Sequence, residues 1–537
     1  MPSSHVVSVR LGTLSLRELE DLVLSRPWTM GRQNDLHDVA DTLVSTESIV
    51  PTLRSLARPT LTSLVEGAAD TLACELMLAD AGGAVYPEVT ALLPAILDQP
   101  APAEPATSGD STTVALHSVI AIRDLIGWVA REPLTMGATG GLLKAEEKTL
   151  AAGLVVSDQD AAALVGIAHA AGLVNTIDRR LYATTRGLEL SDDLVGLWSV
   201  CAEAIGSVLS RSVREACTAA GRFDLEFIEW LTPLRDSSES RTLVTLSDSA
   251  RLFGLTAGGT TDLGRAFLDP AGDVAAQLTA LFPALQNSVY VLDDLSIIAP
   301  GPVSRDTADF LALVSTLETR GLAPKYRLDP TLILRAIANG LTAELIVARL
   351  TELSLTPVSP AVTSTVDDAS RNGRFIVLNG TGTDTAAKAS HAELGELMLT
   401  DPRLQRLAPI KVDDFSVLYG ASRLRVETAL AETRYTVITP TPERIIVAPA
   451  APTKLLDLIE RLHETGLGSS HLERALMTAG KSRSSVTLLV ETSTGNKTIT
   501  LEPRHVANGR VRGLDTVADV ERTLPISAII ELLAVGE

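Results

Sequence analysis

The triplet Gly480-Lys481-Ser482 is the part of the sequence whose residue types come closest to a nucleotide-binding loop. Such a loop reads GxxxxGK[ST], because its backbone amides surround phosphate groups while the lysine and the hydroxyl serve the phosphates and Mg²⁺. The motif needs a glycine five residues before Gly480, and this sequence has Ala475 there. The run from His471 to Thr478 also has a helical pattern where the motif needs a strand. We therefore interpret the triplet as the basic end of a helix and predict no nucleotide and no cofactor.

Other residue patterns of catalytic and metal sites are also missing. The 537 residues contain neither a GxSxG nucleophile motif nor HExxH, and the eight histidines are dispersed. Cys74, Cys201 and Cys217 lack CxxC spacing and are interpreted as small core residues. Adjacent acids such as Asp367-Asp368 and Asp413-Asp414 point apart on a helix or strand, so one pair cannot act on one bond. We predict no catalytic residue and no metal site.

Basic residues in the C-terminal third are the main candidates for contact with a phosphate backbone. They accompany alternating polar and apolar residues, which predict strands joined by turns. Arg510 and Arg512 are two residues apart, so a strand places both side chains on one face. An ordinary solvated face is the alternative interpretation. The candidates in this region are Arg483, Lys497, Arg504, Arg510 and Arg512.

The distribution of charge favours the same third of the chain. The net charge is -20, which by itself disfavours nucleic acid as a partner. Residues 401–537 contain 17 Lys and Arg against 17 Asp and Glu, whereas residues 1–400 contain 29 against 49. The neutral C-terminal third is therefore the part expected to meet phosphates, and the acidic remainder suits a basic protein partner.

Arg179 and Arg180 are two further candidates, at the tip of a predicted hairpin. A helix predicted over residues 158–171 precedes this hairpin, an order typical of a winged helix, in which the helix before the wing enters a major groove. The helix starts with Asp-Gln-Asp and contains no Lys or Arg, so it cannot read guanine through a bidentate arginine. We expect it to pack against protein. The two arginines could touch a phosphate, although an exposed turn pair is usually only solvated.

Residues 289–378 have the most specific order of strand, turn and helix signals in the chain. Val289–Ile298 is predicted as one buried strand, ended by Pro300-Gly301-Pro302. A helix capped by Ser304 is expected to include Leu317 and to stop at Gly321. The later elements predicted here are a strand at Lys325–Leu328, helices beginning after Asp329, after Thr342 and at Pro360, and a last strand at Arg374–Leu378.

Five short motifs distinguish this segment. They are Asp294-Leu-Ser-Ile-Ile-Ala-Pro-Gly-Pro302, Leu317-Glu-Thr-Arg-Gly321, Tyr326-Arg327, Asp367-Asp368 and Asn372-Gly373. With them the segment resembles the N-terminal domain of XPB-type DNA helicases and, more closely, bacterial helicase-associated proteins that carry that domain. In XPB the domain lies ahead of an ATP-driven motor and is linked to the handling of distorted DNA. The resemblance implies a role beside a helicase.

Residues 471–534 have a second resemblance. A helix is followed by strand signals at 486–490, 497–501 and 510–515, with turns such as Asn508-Gly509, which suggests a small five-stranded barrel. This order is similar to a WYL-type domain, an SH3-like barrel found in bacterial nucleic-acid-linked regulators. The Trp-Tyr-Leu tripeptide that names the family is missing, so no ligand chemistry is carried over.

The predicted fold class is α+β and multidomain. A mostly helical N-terminal half contains a winged-helix-like domain, followed by a compact α/β module that is XPB-N-terminal-like, a small βαβ-like unit and a C-terminal SH3-like β-barrel. The predicted domains are a helical domain (1–97), a linker (98–113), the winged-helix-like domain (114–190), a second helical domain (191–288), the XPB-like module (289–378), the small α/β unit (391–448) and the barrel (471–537).

We expect a non-catalytic helicase-associated adaptor rather than an enzyme. Its predicted partners are an XPB-type helicase or other repair or transcription proteins, with DNA contacted through the C-terminal third. A ligand-responsive DNA-binding transcription regulator is the alternative, and a helicase with a degenerate motor is the least favoured. Since no stretch approaches the ~18 uninterrupted apolar residues of a membrane span, the expected location is the cytoplasm, with nucleoid association as an option and no membrane contact.

Overall fold

The computed structural model describes residues 3–26, 33–96, 99–138, 140–380, 383–433, 435–438, 446–448, 453–465, 471–492 and 495–535. It is an α+β protein of many helices and several small sheets, as predicted. The chain divides into two compact units. Unit 1 comprises residues 1–104, 209–244 and 451–537, and unit 2 comprises residues 105–208 and 245–450.

The first 288 residues are mostly helical and contain only short strands. The helices are α1 (Ser3–Leu11), α2 (Leu16–Ser25), α3 (Leu36–Leu43), α4 (Thr46–Ser55), α5 (Arg58–Val65), α6 (Thr71–Glu75), α7 (Pro87–Thr90), α8 (Ser111–Arg131), α9 (Lys144–Leu154), α10 (Asp158–Ala170), α11 (Thr185–Leu190), α12 (Leu194–Gly206), α13 (Arg211–Ala220), α14 (Leu225–Leu231), α15 (Ser237–Leu252), α16 (Asp262–Leu268) and α17 (Val274–Leu281). The strands are β1 (Leu134–Thr135), β2 (Val174–Ile177), β3 (Arg180–Ala183), β4 (Thr256–Ala257) and β5 (Gly259–Thr260).

Strands and helices alternate in the remainder of unit 2. The strands are β6 (Tyr290–Val291), β7 (Ser296–Ile298), β8 (Ser315–Thr319), β9 (Lys325–Leu328), β10 (Phe375–Asn379), β11 (Thr385–Ala389), β12 (Pro409–Lys411), β13 (Ser416–Tyr419) and β14 (Thr436–Ile438). The helices are α18 (Arg305–Val314), α19 (Pro330–Ala338), α20 (Ala343–Leu353), α21 (Pro360–Asn372), α22 (Ala392–Thr400), α23 (Pro402–Gln405) and α24 (Arg423–Ala431).

The C-terminal part of unit 1 has two helices followed by a sheet. These elements are α25 (Thr453–Thr465), α26 (His471–Ser482), β15 (Val486–Thr492), β16 (Gly495–Ala507), β17 (Arg510–Asp515), β18 (Val520–Pro525), a 3-10 turn (Ile526–Ala528) and β19 (Ile529–Val535).

Unit 1 has a helical core to which distant parts of the chain contribute. Ile459 and Leu462 of α25 are buried in the same apolar cluster as the helices of residues 7–89. Arg26 is also buried here, and it donates to Leu43 O at 2.9 Å and to Leu76 O at 3.0 Å. Burial lowers the pKa of Arg26 to about 9. Its hydrogen bonds offset the cost of enclosing a guanidinium in an apolar core.

Helix α8 is the central helix of the first part of unit 2. It packs against α10, α12 and β3, and its apolar residues, such as Val119 and Ile122, are buried. Among the described helices it alone is long and apolar enough to cross a membrane, but 67% of its most apolar window is buried inside the protein. Two pairs of consecutive helices pass the same test only if each bent pair counts as one span. Burial within unit 2 explains the apolar composition of α8.

The first sheet of residues 289–372 is antiparallel and has the order β6-β7-β9-β8. The single strand predicted over Val289–Ile298 is wrong, because β6 and β7 form a hairpin. Its turn contains Leu295 with a φ of 67°, and the Asp294 carboxylate accepts from Ser296 N at 3.0 Å. The predicted helix through Leu317 is also too long.

Helix α18 ends at Val314, and Leu317 lies in β8 opposite Tyr326 of β9. Gly321 therefore ends no helix; it lies in the β8–β9 loop, and its φ is not positive. The pairing with β9 makes this region a strand, although its apolar residues have a helical spacing. The strand predicted at Lys325–Leu328 and the helices after Asp329 and Thr342 and at Pro360 are confirmed.

A second sheet follows, with the order β12-β13-β11-β10-β14. The strand predicted at Arg374–Leu378 is present as β10, but it pairs with β11 and β14 instead of with the first sheet. Residues 380–390, which lack an apolar pattern, contain the central strand β11. The predicted βαβ-like unit corresponds to β13, α24 and β14. The two strands run in the same direction, but β11 and β10 lie between them in the sheet.

The C-terminal sheet has the order β18-β17-β16-β15-β19, and all its described neighbours are antiparallel. Strands β18 and β19 lie at its two edges, and no pairing closes them on each other in the described residues. The predicted SH3-like barrel is therefore not seen as a closed barrel. The five strands form an open sheet with α26 packed on β16.

The predicted linker, 98–113, is irregular from 99 to 110 and then enters α8. It is held at two points in unit 1, where Gln99 O accepts from Trp230 Nε1 at 2.9 Å and Pro102 O accepts from Arg222 at 2.8 Å. Hydrogen bonds to the backbone thus fix a segment whose composition is typical of a flexible connection.

Candidate functional site

The C-terminal sheet presents two different faces. On the inner face, Val486, Leu488 and Leu501 are buried together with Leu476 and Ala479 of α26. The opposite, outer face is not covered by this helix. Because side chains alternate along a strand, the register of the sheet assigns each basic residue to one of these faces.

Arg510 and Arg512 lie together on the outer face, as their spacing predicts. Val511 between them is fully buried on the inner face, and Arg512 is opposite His505 of β16. The Arg512 guanidinium donates to Glu521 of β18 at 2.7 Å, and these side chains are 60% and 42% exposed. This hydrogen bond lowers the pKa of Glu521, with a smaller contribution from Arg504. Glu521 therefore neutralises part of the positive charge of this face.

The remaining C-terminal candidates are more scattered. Lys497 is opposite Val490, an inner-face residue, so it lies on the other side of the sheet from Arg510. Arg504 is exposed at a register shift of β16 between Pro503 and His505. Arg483 follows α26 in the left-handed conformation with a φ of 54°. Arg504 acts electrostatically on Glu521 of the outer face. Together with Arg510 and Arg512 it forms the basic patch of the outer face, which is the name used below.

Gly480, Lys481 and Ser482 occupy the last turn of α26. A Cβ on Gly480 would lie 3.2 Å from Pro503 O, so this glycine permits the close approach of α26 to β16. A phosphate loop instead connects the end of a strand to the start of a helix. The triplet therefore has the helical geometry that the sequence indicates.

The hairpin with Arg179 and Arg180 is present, and it belongs to a small sheet of order β1-β3-β2. Both arginines are exposed at its tip, and Arg179 has a φ of 61°. Arg179 Nε also donates to Met136 O at 3.4 Å, which directs its side chain toward its own sheet. Arg180 begins β3 and pairs with Ile177.

The preceding helix, α10, is engaged by protein at its acidic start. Gln159 donates to Asp248 of α15 at 2.9 Å, and Asp160 forms an ion pair with Arg251 at 3.1 Å. The Ser157 hydroxyl caps the same turn by accepting from Asp160 N. The first turn of α10 therefore contacts α15, and its carboxylates would repel phosphate.

A buried ion cluster within unit 2 was not predicted from the sequence. Asp124 of α8 accepts from Arg123 and, at 2.9 Å, from Arg320, which follows β8. Burial alone would raise the pKa of Asp124, but the two guanidinium groups hold it below its ordinary value. Arg320 also donates to Leu154 O of α9 at 2.8 Å. Arg320 belongs to the Leu317–Gly321 motif, but nothing in the sequence points to its partner 196 residues away.

A cavity of 460 Å³ lies beside this cluster, between the helices α8 and α9 and the segment that includes α18, β8 and α19. Its wall is partly apolar, with Leu313, Leu317 and Leu332, and partly charged, with the Arg131–Asp309 ion pair at 2.7 Å. The side chain of Trp128 is also in the wall. Among the described residues, no group of three or more His, Cys, Asp and Glu side chains could hold a metal ion.

The segment that contains β6–β12 is similar to a known protein family. Residues 289–413 match the family model described as "Helicase conserved C-terminal domain". The matched segment is less than a quarter of the chain. The match supports a helicase-related function. The matched segment includes α18, β8 and α19, which form part of the wall of the 460 Å³ cavity. No curated protein matches the chain.

The matched segment contains the antiparallel β6–β9 sheet, the helices α18–α23 and the strands β10–β12. Nucleotide-binding α/β domains are instead built on mostly parallel sheets with a phosphate loop at the end of a strand. The described strand pairs of the β6–β9 sheet are all antiparallel, unlike those of such a domain.

Proposed function

We propose that this protein is a non-catalytic adaptor of a helicase-containing repair or transcription complex. The observation that carries the proposal is the helicase-family match of residues 289–413 on an antiparallel sheet, in a sequence without a GxxxxGK[ST] motif. Strand separation requires coupled ATP hydrolysis, whereas an adaptor requires only surfaces for its partners. The resemblance of residues 289–378 to the XPB N-terminal domain makes an XPB-type helicase the preferred protein partner.

The basic patch of the outer face is the proposed contact with DNA. It lies in the neutral third of the chain, and Arg510 is exposed there without an ion-pair partner among the described residues. Glu521 limits the positive charge, so the contact is expected to be weak and sensitive to salt. A weak DNA contact suits a complex that is held together by contacts between proteins, with DNA as a secondary partner.

A pull-down of the full chain from native extract, with and without nuclease, tests the adaptor role. We expect a helicase to remain bound after nuclease treatment, because the contact is between proteins. Ala312 lines the 460 Å³ cavity, and Ala312→Trp should fill the cavity and weaken the capture if the partner uses this surface. Arg349→Gln, in an exposed ion pair with Asp306 and Glu352, is the matched control.

An ATPase assay with and without DNA tests the opposite possibility, that the protein is itself an enzyme. Purified protein that hydrolyses ATP in the presence of DNA would refute the adaptor proposal. Loss of all captured protein after nuclease treatment would instead show that DNA holds the complex together.

A ligand-responsive DNA-binding regulator is a second candidate. The element order α8-β1-α9-α10-β2-β3 is typical of a winged helix, and this order favours a regulator. The acidic start of α10 and its contacts with α15 disfavour groove binding by this helix. Selection from a random DNA library distinguishes the two, since a regulator should enrich one sequence and the proposed adaptor should enrich none.

A further inference from the structure

A second cavity in unit 2, of 420 Å³, lies between α8, the α9–α10 turn and the end of β8. Much of its wall is apolar and comes from Val114, Ala121, Val156, Leu164 and Leu252. Pockets of this size accommodate small organic molecules, whose orientation is set by a few polar groups in an apolar wall. The polar groups of this wall therefore indicate the chemistry of an occupant.

The buried ion cluster beside this cavity has one positive charge in excess. The side chains of Arg123 and Arg320 are 3% and 7% exposed, and both bond to the single carboxylate of Asp124. Among the described residues, no other carboxylate forms an ion pair with either arginine. Buried charges are normally balanced, because an uncompensated charge in a low dielectric is costly. One further negative charge would bring the net charge of the cluster to zero.

Two residues that line the cavity each have a buried nitrogen atom without a hydrogen-bond partner. Arg320 uses Nε for Leu154 O and Nη1 for Asp124, and its Nη2 has no acceptor. His117 Nε2 is likewise unpartnered. Burial and the nearby Arg320 lower the pKa of His117, so its ring is neutral near pH 7 and can donate from one nitrogen. An unsatisfied buried polar group costs about 1–3 kcal/mol, which an acceptor on a ligand would recover.

The acidic residues of the same wall are already engaged. Glu318 binds Lys325 at 3.1 Å and also pairs with Arg327. Asp160 accepts from the Ser157 hydroxyl at 2.8 Å and pairs with Arg251 at 3.1 Å. Their charges are therefore balanced by partners other than Arg320, which leaves the guanidinium available to an anion.

We propose that this cavity is a binding site for a small organic anion, with one carboxylate or phosphate monoester group on an apolar body. The anionic group accepts from Arg320 Nη2 and from His117, and the apolar body packs against Val114, Ala121 and Leu164. The site is separate from the basic patch and does not depend on the adaptor role.

Isothermal titration calorimetry of the full chain with hexanoate and phenyl phosphate tests the site. We expect at least one of them to saturate one site per chain, and hexanol, which lacks the charge, to bind at least tenfold more weakly. Comparison of the two anions identifies the preferred head group. Arg320→Gln should weaken binding about tenfold, equivalent to about 1.4 kcal/mol.

Val114→Trp tests the cavity without altering the ion cluster. Val114 lines the cavity but is 38% exposed, so a larger side chain is expected to fill the space and leave the fold intact. Binding should be lost in this variant and unchanged in the control Arg349→Gln. The proposal is wrong if neither anion saturates at millimolar concentration, if hexanol binds as well as hexanoate, or if Val114→Trp binds like the unaltered protein.

Discussion

Arg320 donates to Asp124 at 2.9 Å and so joins the matched segment to the central helix α8 of unit 2. Asp124 is also bonded to Arg123, whose second contact is Val303 O. A single carboxylate thus holds two buried guanidinium groups that are anchored to separate parts of the chain. Asp124 therefore strengthens the attachment of the matched segment to α8, which the Arg131–Asp309 ion pair also supports.

Asp124→Asn should destabilise unit 2 by about 3 kcal/mol, because removal of one partner leaves buried charges uncompensated. Hydrogen exchange measured by mass spectrometry should show faster exchange in residues 111–131 and 315–328. Asp306→Asn, at a side chain that is 80% exposed, is the control and should cause little change. Equal exchange in both variants would mean that the cluster does not stabilise this junction.

The same carboxylate should contribute to acid sensitivity. Its pKa is lower in the folded state than the unfolded value of about 3.9. Its stabilising contribution is therefore present above about pH 4 and is lost as the pH falls through the lower folded pKa. Thermal melting temperatures measured from pH 6 to pH 3 should fall more steeply for the unaltered protein than for Asp124→Asn. Parallel curves would contradict this assignment.

Gly395 of α22 should not tolerate a side chain. A Cβ there would lie 2.3 Å from Asp414 O, a backbone atom that cannot easily move. We expect Gly395→Ala to cost about 1–3 kcal/mol in urea denaturation. Gly166 of α10 has nothing within 4 Å of its Cβ position, so Gly166→Ala should stabilise by up to about 1 kcal/mol. Equal effects at the two helical glycines would refute the packing argument.

Arg510 should contribute more to DNA binding than Arg512. Both lie on the outer face, but Arg512 is already paired with Glu521. Fluorescence anisotropy with a labelled oligonucleotide should show weaker binding for Arg510→Ala, a smaller loss for Arg512→Ala and tighter binding for Glu521→Ala. The affinity should decrease with salt, with a shallower slope for Arg510→Ala. Arg522, paired with Asp515 at 2.6 Å, is on the inner face and provides the control Arg522→Ala.

Two of the cysteines should be unreactive in the native protein. Burial raises the pKa of the Cys201 and Cys217 thiols, to about 12 for Cys217, so thiolate is scarce at neutral pH. Cys74 is only partly buried. Titration with a thiol reagent should detect one accessible thiol, absent in Cys74→Ala, and three after denaturation. Rapid modification of all three in the native state would contradict the burial.

Local signals in the sequence determined several elements of the matched segment. Asp329 accepts from Thr331 N at the start of α19, and Thr342 accepts from Leu345 N at the start of α20, as the capping residues predict. β8 was predicted as part of a helix, because apolar spacing over a few residues fits a strand or a helix equally. The β6–β7 hairpin was predicted as one strand, because its turn at Leu295 was not recognised. Their form depends on β9, which pairs with both β7 and β8.

The sequence alone showed that these 537 residues contain no GxxxxGK[ST] motif and that the C-terminal third is electrically neutral. It also placed Arg510 and Arg512 on one face, because side chains alternate along any strand. Tertiary structure decided that Lys497 lies on the opposite face and that Asp124 meets Arg320. Strand register and the contacts of distant segments depend on how the chain packs, and no local spacing of residue types specifies them.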